Sequence, residues 1–161
     1  MRSKFRNLAF GSFLAILLSV TTGAWAQAGD PGMGTWKLNL QKSKYSPGPA
    51  PKSLTVKFEP AGKGIKTTAD FVPAAGDTMS SEYTAQYDGK DYPISGSPSV
   101  DTVALKKIGA GKIERTDKKG GKVVQKFVRT VSADGKTMTI TQKGTTSKGE
   151  KFNNVLVLDK Q

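Results

Sequence analysis

The side chains of this sequence that could do chemistry are few, and their types favour binding over catalysis. The chain contains no His and no Cys, so it lacks the group that most often transfers protons near neutral pH and the best thiol nucleophile. Asp88 and Asp91 flank a turn, where aspartate usually caps the local backbone. Neither this pair nor Asp70 with Asp77 supplies the roughly six to eight oxygen ligands that Ca²⁺ takes. We therefore expect no catalytic residue, no metal site and no cofactor.

Two arginines, Arg115 and Arg129, are the candidates for a charged interaction inside the protein. Both fall on the strand face that we predict to point inward. An unpaired buried charge is costly. The arginines therefore need either internal partners, such as Glu114 or Asp117 at a rim, or a wet cavity with an anionic guest.

Aromatic side chains share this predicted inner face with the arginines and with Thr67, Ser81 and Gln125. An apolar lining with a few converging polar groups is typical of a ligand pocket. An ordinary packed core is the alternative for the aromatic residues, and a rim salt bridge is the alternative for the arginines. We predict the ligand-binding residues to be Trp36, Phe58, Phe71, Tyr83, Tyr87, Arg115, Phe127 and Arg129.

The elements that must position these residues are short strands of alternating polarity. The clearest pair is Phe127–Gln142, in which two alternating runs flank the turn residues Asp134-Gly135. Similar turns recur about every 10–15 residues, as in an all-β meander. We predict ten strands, at residues 34–40, 53–59, 65–71, 79–87, 92–96, 102–107, 112–117, 122–131, 137–143 and 151–160.

Alternation assigns one inner face to each strand. In the first strand the inner residues are Trp36, Leu38 and Leu40. The strand at residues 122–131 is ambiguous, because it carries Val on both faces. We take as inward the set that contains the aromatic residue, namely Val123, Gln125, Phe127, Arg129 and Val131.

These short connections predict a single all-β domain, an up-and-down antiparallel β-barrel of about ten strands. Neighbouring strands joined by hairpins close most simply into a barrel, which removes exposed sheet edges. A two-sheet sandwich is the alternative, although Greek-key sandwiches need longer crossovers.

The first 26 residues have the pattern of a secretory signal helix. Arg2, Lys4 and Arg6 precede the apolar run Leu8–Val20, and the small-x-small motif at residues 24–26 predicts cleavage after Ala26. An uncleaved anchor is the alternative, but the apolar run is short for a membrane-spanning helix. We therefore predict a signal peptide at residues 1–26, a barrel domain at 27–161 and a periplasmic or secreted location. Residues 27–33 are expected to be unstructured.

The charge of the chain is strongly positive. Its 25 Lys and Arg and 13 Asp and Glu residues give a net charge of +12, and removal of the signal leaves about +9. Exposed Lys keeps strand edges from aggregating, but it could also attract anionic envelope polymers or lipid headgroups. Nucleic acid is not expected as a partner, because no basic helix or aromatic-interleaved basic patch is present.

The opening strand, Gly34-Thr35-Trp36-Lys37-Leu38, resembles that of the calycin superfamily, which contains the lipocalins and the fatty-acid-binding proteins. The repeated Asp-Gly-Lys turns at residues 88–90 and 134–136 are similar to those of small exported lipocalin-like bacterial proteins. The resemblance implies a barrel that holds a small apolar or amphipathic ligand. It departs from the fatty-acid-binding proteins in two places: the proline-rich segment Ser46–Pro51 replaces their helical lid, and Leu156 and Leu158 stand near their Arg-x-Tyr acid clamp.

Two functions follow from these patterns. The first is an exported small-molecule-binding protein, with Arg115 and Arg129 meeting the acidic end of the guest. The alternative is an envelope-associated interaction module, whose Lys-rich surface binds an anionic polymer, lipid headgroups or a partner protein around a closed core.

Overall fold

The computed structural model describes residues 30–146 and 148–161, in which the chain forms ten strands and no helix. None of these residues belongs to a helix long and apolar enough to cross a membrane. The predicted signal helix lies outside the described residues. The strands are β1 (Gly34–Leu38), β2 (Ser53–Ala61), β3 (Gly64–Val72), β4 (Met79–Gln86), β5 (Asp88–Ser95), β6 (Thr102–Gly109), β7 (Lys112–Lys119), β8 (Lys122–Val131), β9 (Thr137–Thr145) and β10 (Lys151–Lys160).

The ten strands form one closed antiparallel barrel. Each strand pairs with its neighbour in sequence, and β1 pairs with β10 through Trp36 opposite Lys160 and Leu38 opposite Leu158. The predicted up-and-down barrel is confirmed, and the sandwich alternative is wrong. The ladder between β4 and β5 is short, with two cross-strand pairs, Glu82 with Ser95 and Tyr83 with Ile94.

The predicted inner faces hold for most of the barrel, and Trp36, Val103, Met138 and Leu158 are fully buried. Two residues differ. Leu40 is 42% exposed, because β1 ends at Leu38. Val123 is 53% exposed, because a bulge shifts the register of β8 between the pairs Asp117–Gln125 and Lys118–Val123. The inward assignment of Val123 was therefore wrong.

The segment before β1 is also structured, contrary to our expectation for residues 30–33. The indole Nε1 of Trp36 donates a hydrogen bond of 2.7 Å to the carbonyl oxygen of Gly32, and Met33 packs against the core. Gly34 has a φ of 112°, a left-handed conformation that favours glycine. The segment therefore turns back and covers one end of the barrel.

Candidate functional site

A cavity of about 300 Å³ lies inside the barrel. Its wall comes from β2 to β10 and from the connection between β5 and β6. Most of the wall is aliphatic or aromatic, and the polar residues are Thr67, Ser81, Gln125 and Gln142, the two serines Ser97 and Ser99 of the β5–β6 connection and the two arginines. The barrel thus encloses an apolar space with a few polar groups.

The cavity brings together most of the residues that the sequence predicted. Phe58, Phe71, Tyr83, Arg115, Phe127 and Arg129 line it. Trp36 and Tyr87 do not. Trp36 is fully buried in the core, and Tyr87 contacts the segment that covers the end of the barrel.

The cavity reaches the surface near the start of β4. Met79 lines the cavity and is also 38% exposed, and the exposed Pro98 and Ser99 lie in the same wall. Gly96 has a φ of 74°, and an added Cβ would lie 1.9 Å from the Ser80 carbonyl oxygen. Glycine thus lets the β5–β6 connection lie close to β4 at this opening.

Arg115 forms a two-point ion pair inside the barrel. Its Nε and Nη2 donate to the two carboxylate oxygens of Asp117 at 2.6 and 2.8 Å. Asp117 is fully buried, whereas 22% of the Arg115 side chain is exposed. The guanidinium lies 4.8 Å from the Tyr83 ring centre and 4.9 Å from that of Phe127. The sequence offered Asp117 as a partner at a rim, but the structure buries it in the wall.

A chain of side-chain hydrogen bonds continues from Asp117 across the barrel. Gln125 donates to Asp117 at 2.7 Å, Gln142 donates to Gln125 at 3.0 Å, and Asn154 donates to Gln142 at 3.2 Å. The Asn154 carbonyl then accepts from the backbone of Ser46 at 3.0 Å. These residues lie on neighbouring strands β7 to β10, and they connect the ion pair to the loop after β1.

A second ion pair joins Arg129 to Asp30, in the segment before β1. Arg129 and Tyr87 both donate to one carboxylate oxygen of Asp30, the tyrosine at 2.5 Å. The other oxygen accepts from the Gly32 amide at 2.8 Å. An added Cβ at Gly32 would lie 2.6 Å from Arg129 Nη1, so a larger residue at this position would force the guanidinium to move.

The surroundings of this pair change the pKa of both acidic groups. Burial raises the pKa of the Asp30 carboxyl, but the charge of Arg129 and the hydrogen bonds from Tyr87 and Gly32 outweigh it and hold that pKa below its usual value. Burial and the hydrogen bond to Asp30 raise the pKa of Tyr87 well above its usual value. Near neutral pH the carboxylate is therefore ionised and the phenol is protonated.

Some polar atoms near the cavity have no partner among the described residues. These are Thr67 Oγ1 and, on Arg129, Nε and Nη1. The Arg129 guanidinium lies 4.5 Å from the Phe58 ring centre, and 7% of its side chain is exposed. Thr67 is 2% exposed and lines the cavity.

The sequence did not reveal Asp30, Gln142 and Asn154. Gln142 and Asn154 could have been found, because each shares the inward parity of its strand. Asp30 could not, because it lies outside every strand and its partner Arg129 is 99 residues away. Within the described residues, no group of three or more metal-ligating side chains is present.

The ten strands form one closed antiparallel meander. This architecture agrees with the barrel that the resemblance of the opening strand to the calycin superfamily implies. No protein-family profile and no curated protein matches the chain. Among solved structures, the chain is similar to a zebrafish ileal bile acid-binding protein complexed with cholic acid, with 11% identity, a TM-score of 0.49 and coverage of 81% of this chain and 99% of that one.

Proposed function

We propose that this chain is an exported calycin-like protein that binds a small apolar or amphipathic molecule inside its barrel, in the periplasm or outside the cell. The observation that supports the proposal is the cavity of about 300 Å³. Its volume lies at the lower end of the roughly 300–1,000 Å³ of ligand pockets. The absence of His and Cys from the sequence favours binding without catalysis.

A cavity-filling variant tests this function. Ala69 lines the cavity, whereas the neighbouring Thr68 has the opposite parity on β3. We expect A69F to weaken binding of the uncharged fluorescent probe N-phenyl-1-naphthylamine by at least about tenfold, and T68F to change it by less than about twofold. Equal binding by wild type and A69F, or no binding by wild type, would contradict the proposal.

An outer groove supports a second candidate, the binding of an extended anionic polymer. The groove runs over β8, β9 and β10, and its lining includes Val123, Val128, three lysines (Lys126, Lys143 and Lys151) and one acidic residue, Glu114. Lys126 lies directly opposite Lys143, an arrangement of like charges that destabilises a sheet. Among the described residues, neither forms a salt bridge. A bound polyanion would remove this repulsion, and a concave groove fits a chain better than a flat surface.

Charge reversal tests the second candidate. We expect K126E/K143E to abolish binding to heparin at low salt, whereas K63E, in the β2–β3 turn, retains it. Binding should also weaken steeply as salt is added. Equal loss in both variants would indicate that net charge, and not the groove, causes the attraction.

A further inference from the structure

The two ion pairs also indicate the chemical class of the guest. Resting on the proposed binding function, we propose that the cavity selects an uncharged amphipathic molecule, such as an alcohol, over a carboxylate. This reverses our expectation from the sequence, in which Arg115 and Arg129 meet an acidic end.

The charges around the cavity cancel. Among the described residues, the charged ones in the cavity wall are Arg115 and Arg129. Asp117 pairs with the first and Asp30 with the second. A carboxylate guest would therefore bring an uncompensated charge into a largely apolar space, at a high desolvation cost.

The charge of Arg115 is already compensated by Asp117. Two of its three nitrogens already donate to Asp117, and its faces lie against the rings of Tyr83 and Phe127. Both Nη1 hydrogens and one Nη2 hydrogen remain. A guest carboxylate would therefore either add a second anion to a guanidinium whose charge Asp117 already compensates, or displace Asp117. Asp117 is fully buried and also accepts from Gln125, so its displacement would leave a buried charge without a partner.

Arg129 is less accessible still. Asp30 holds one nitrogen, Gly32 lies against another, and the Phe58 ring lies near the guanidinium. Its Nε and Nη1 have no hydrogen-bond partner among the described residues, but with 7% of the side chain exposed they offer a guest little accessible surface. Its charge is compensated by Asp30, which does not line the cavity.

The remaining polar groups of the wall suit a neutral guest. The Thr67 hydroxyl is buried and has no partner among the described residues. The amides of Gln125 and Gln142 and the hydroxyl of Ser81 also line the cavity. These uncharged groups both donate and accept hydrogen bonds, so they match an alcohol, which does the same.

A matched pair of ligands tests the inference. Decan-1-ol and decanoic acid have equal chain lengths and differ in charge near neutral pH. Each ligand is added to wild-type protein that holds N-phenyl-1-naphthylamine, and its affinity is measured from the displacement of this probe. We expect decan-1-ol to bind at least about tenfold more tightly than decanoate. If the acid binds equally or better, or if neither displaces bound probe, the inference fails while the binding function stands. If the probe itself does not bind, the binding function fails too.

Acidification provides a second test that needs no variant. Lowering the pH from about 7 to about 4 neutralises much of the decanoic acid, so its affinity should rise toward that of the alcohol, whose affinity should not change. An acid affinity that stays constant or falls would overturn the inference.

A variant tests the role of the ion pair. D117N removes the carboxylate and leaves Arg115 charged, so we expect decanoate binding near neutral pH to strengthen by at least about tenfold relative to wild type. D101N removes the partner of the exposed Lys119 and should leave the ratio of acid to alcohol affinity unchanged. A folded D117N that still rejects decanoate would contradict the assignment of selectivity to Asp117.

Discussion

At the residue scale, Asp30 joins the segment before β1 to Tyr87 and to Arg129 on β8. Its carboxylate accepts hydrogen bonds from Gly32, Tyr87 and Arg129. Strand parity identified Arg129 as an inward residue, because alternation is a local rule. It could not identify the partner, because that partner lies outside the strands and meets Arg129 only when the barrel is closed.

Loss of the Asp30 carboxylate should destabilise the protein. D30N keeps the shape of the side chain but leaves Arg129 charged and without an ionised partner. We expect a decrease of about 3–5 kcal/mol in the free energy of unfolding, as for other broken buried pairs, measured by urea denaturation. D101N breaks the exposed pair with Lys119 and should have a much smaller effect, because exposed ion pairs contribute little to stability. Equal effects of the two substitutions would show that Asp30 does not hold Arg129.

The same carboxylate should make stability depend on acid pH. The pKa of Asp30 is held below its usual value in the folded protein, so its contribution is fully present above the unfolded pKa of about 3.9 and is lost as pH falls through the folded value. The difference in unfolding free energy between wild type and D30N should be constant above about pH 5 and should shrink below about pH 4. A difference that grows with acid would contradict this sign.

At the element scale, the ladders between neighbouring strands differ in length. The β9–β10 ladder contains nine cross-strand pairs and the β4–β5 ladder contains two. The sequence indicates this weakness in part, since Pro93 lies within the predicted strand at residues 92–96 and lacks the amide hydrogen that a ladder needs. It did not predict the bulge in β8, because a bulge depends on the register of two strands and not on the pattern of one.

The short ladder should open more readily than the rest of the barrel. Local opening exposes amides to exchange where few hydrogen bonds and contacts resist it. We expect the amides that join β4 to β5 to exchange at least about tenfold faster than those that join β9 to β10, as measured by native-state hydrogen exchange. Equal protection of the two ladders would show that the barrel opens as one unit.

At the scale of the whole molecule, the spacing of the turns predicted the closed barrel, because ten short strands with short connections leave few other topologies. The cavity could not be predicted in the same way. Whether side chains fill a barrel depends on its width and strand tilt as well as on residue size, and neither is visible in the alternation of polar and apolar residues. The apolar wall was therefore predicted, but the pattern could not decide between the ligand pocket and the packed core that were its two interpretations.

The central claim is that a guest occupies the space inside the barrel. The most direct measurement is an NMR titration of isotope-labelled protein with decan-1-ol, with intermolecular NOEs from the alcohol chain. We predict NOEs to Phe58, Leu105 and Phe127, which line the cavity, and none to Val128 on the outer groove. NOEs confined to the outer face, or no NOEs at saturating alcohol, would contradict the account.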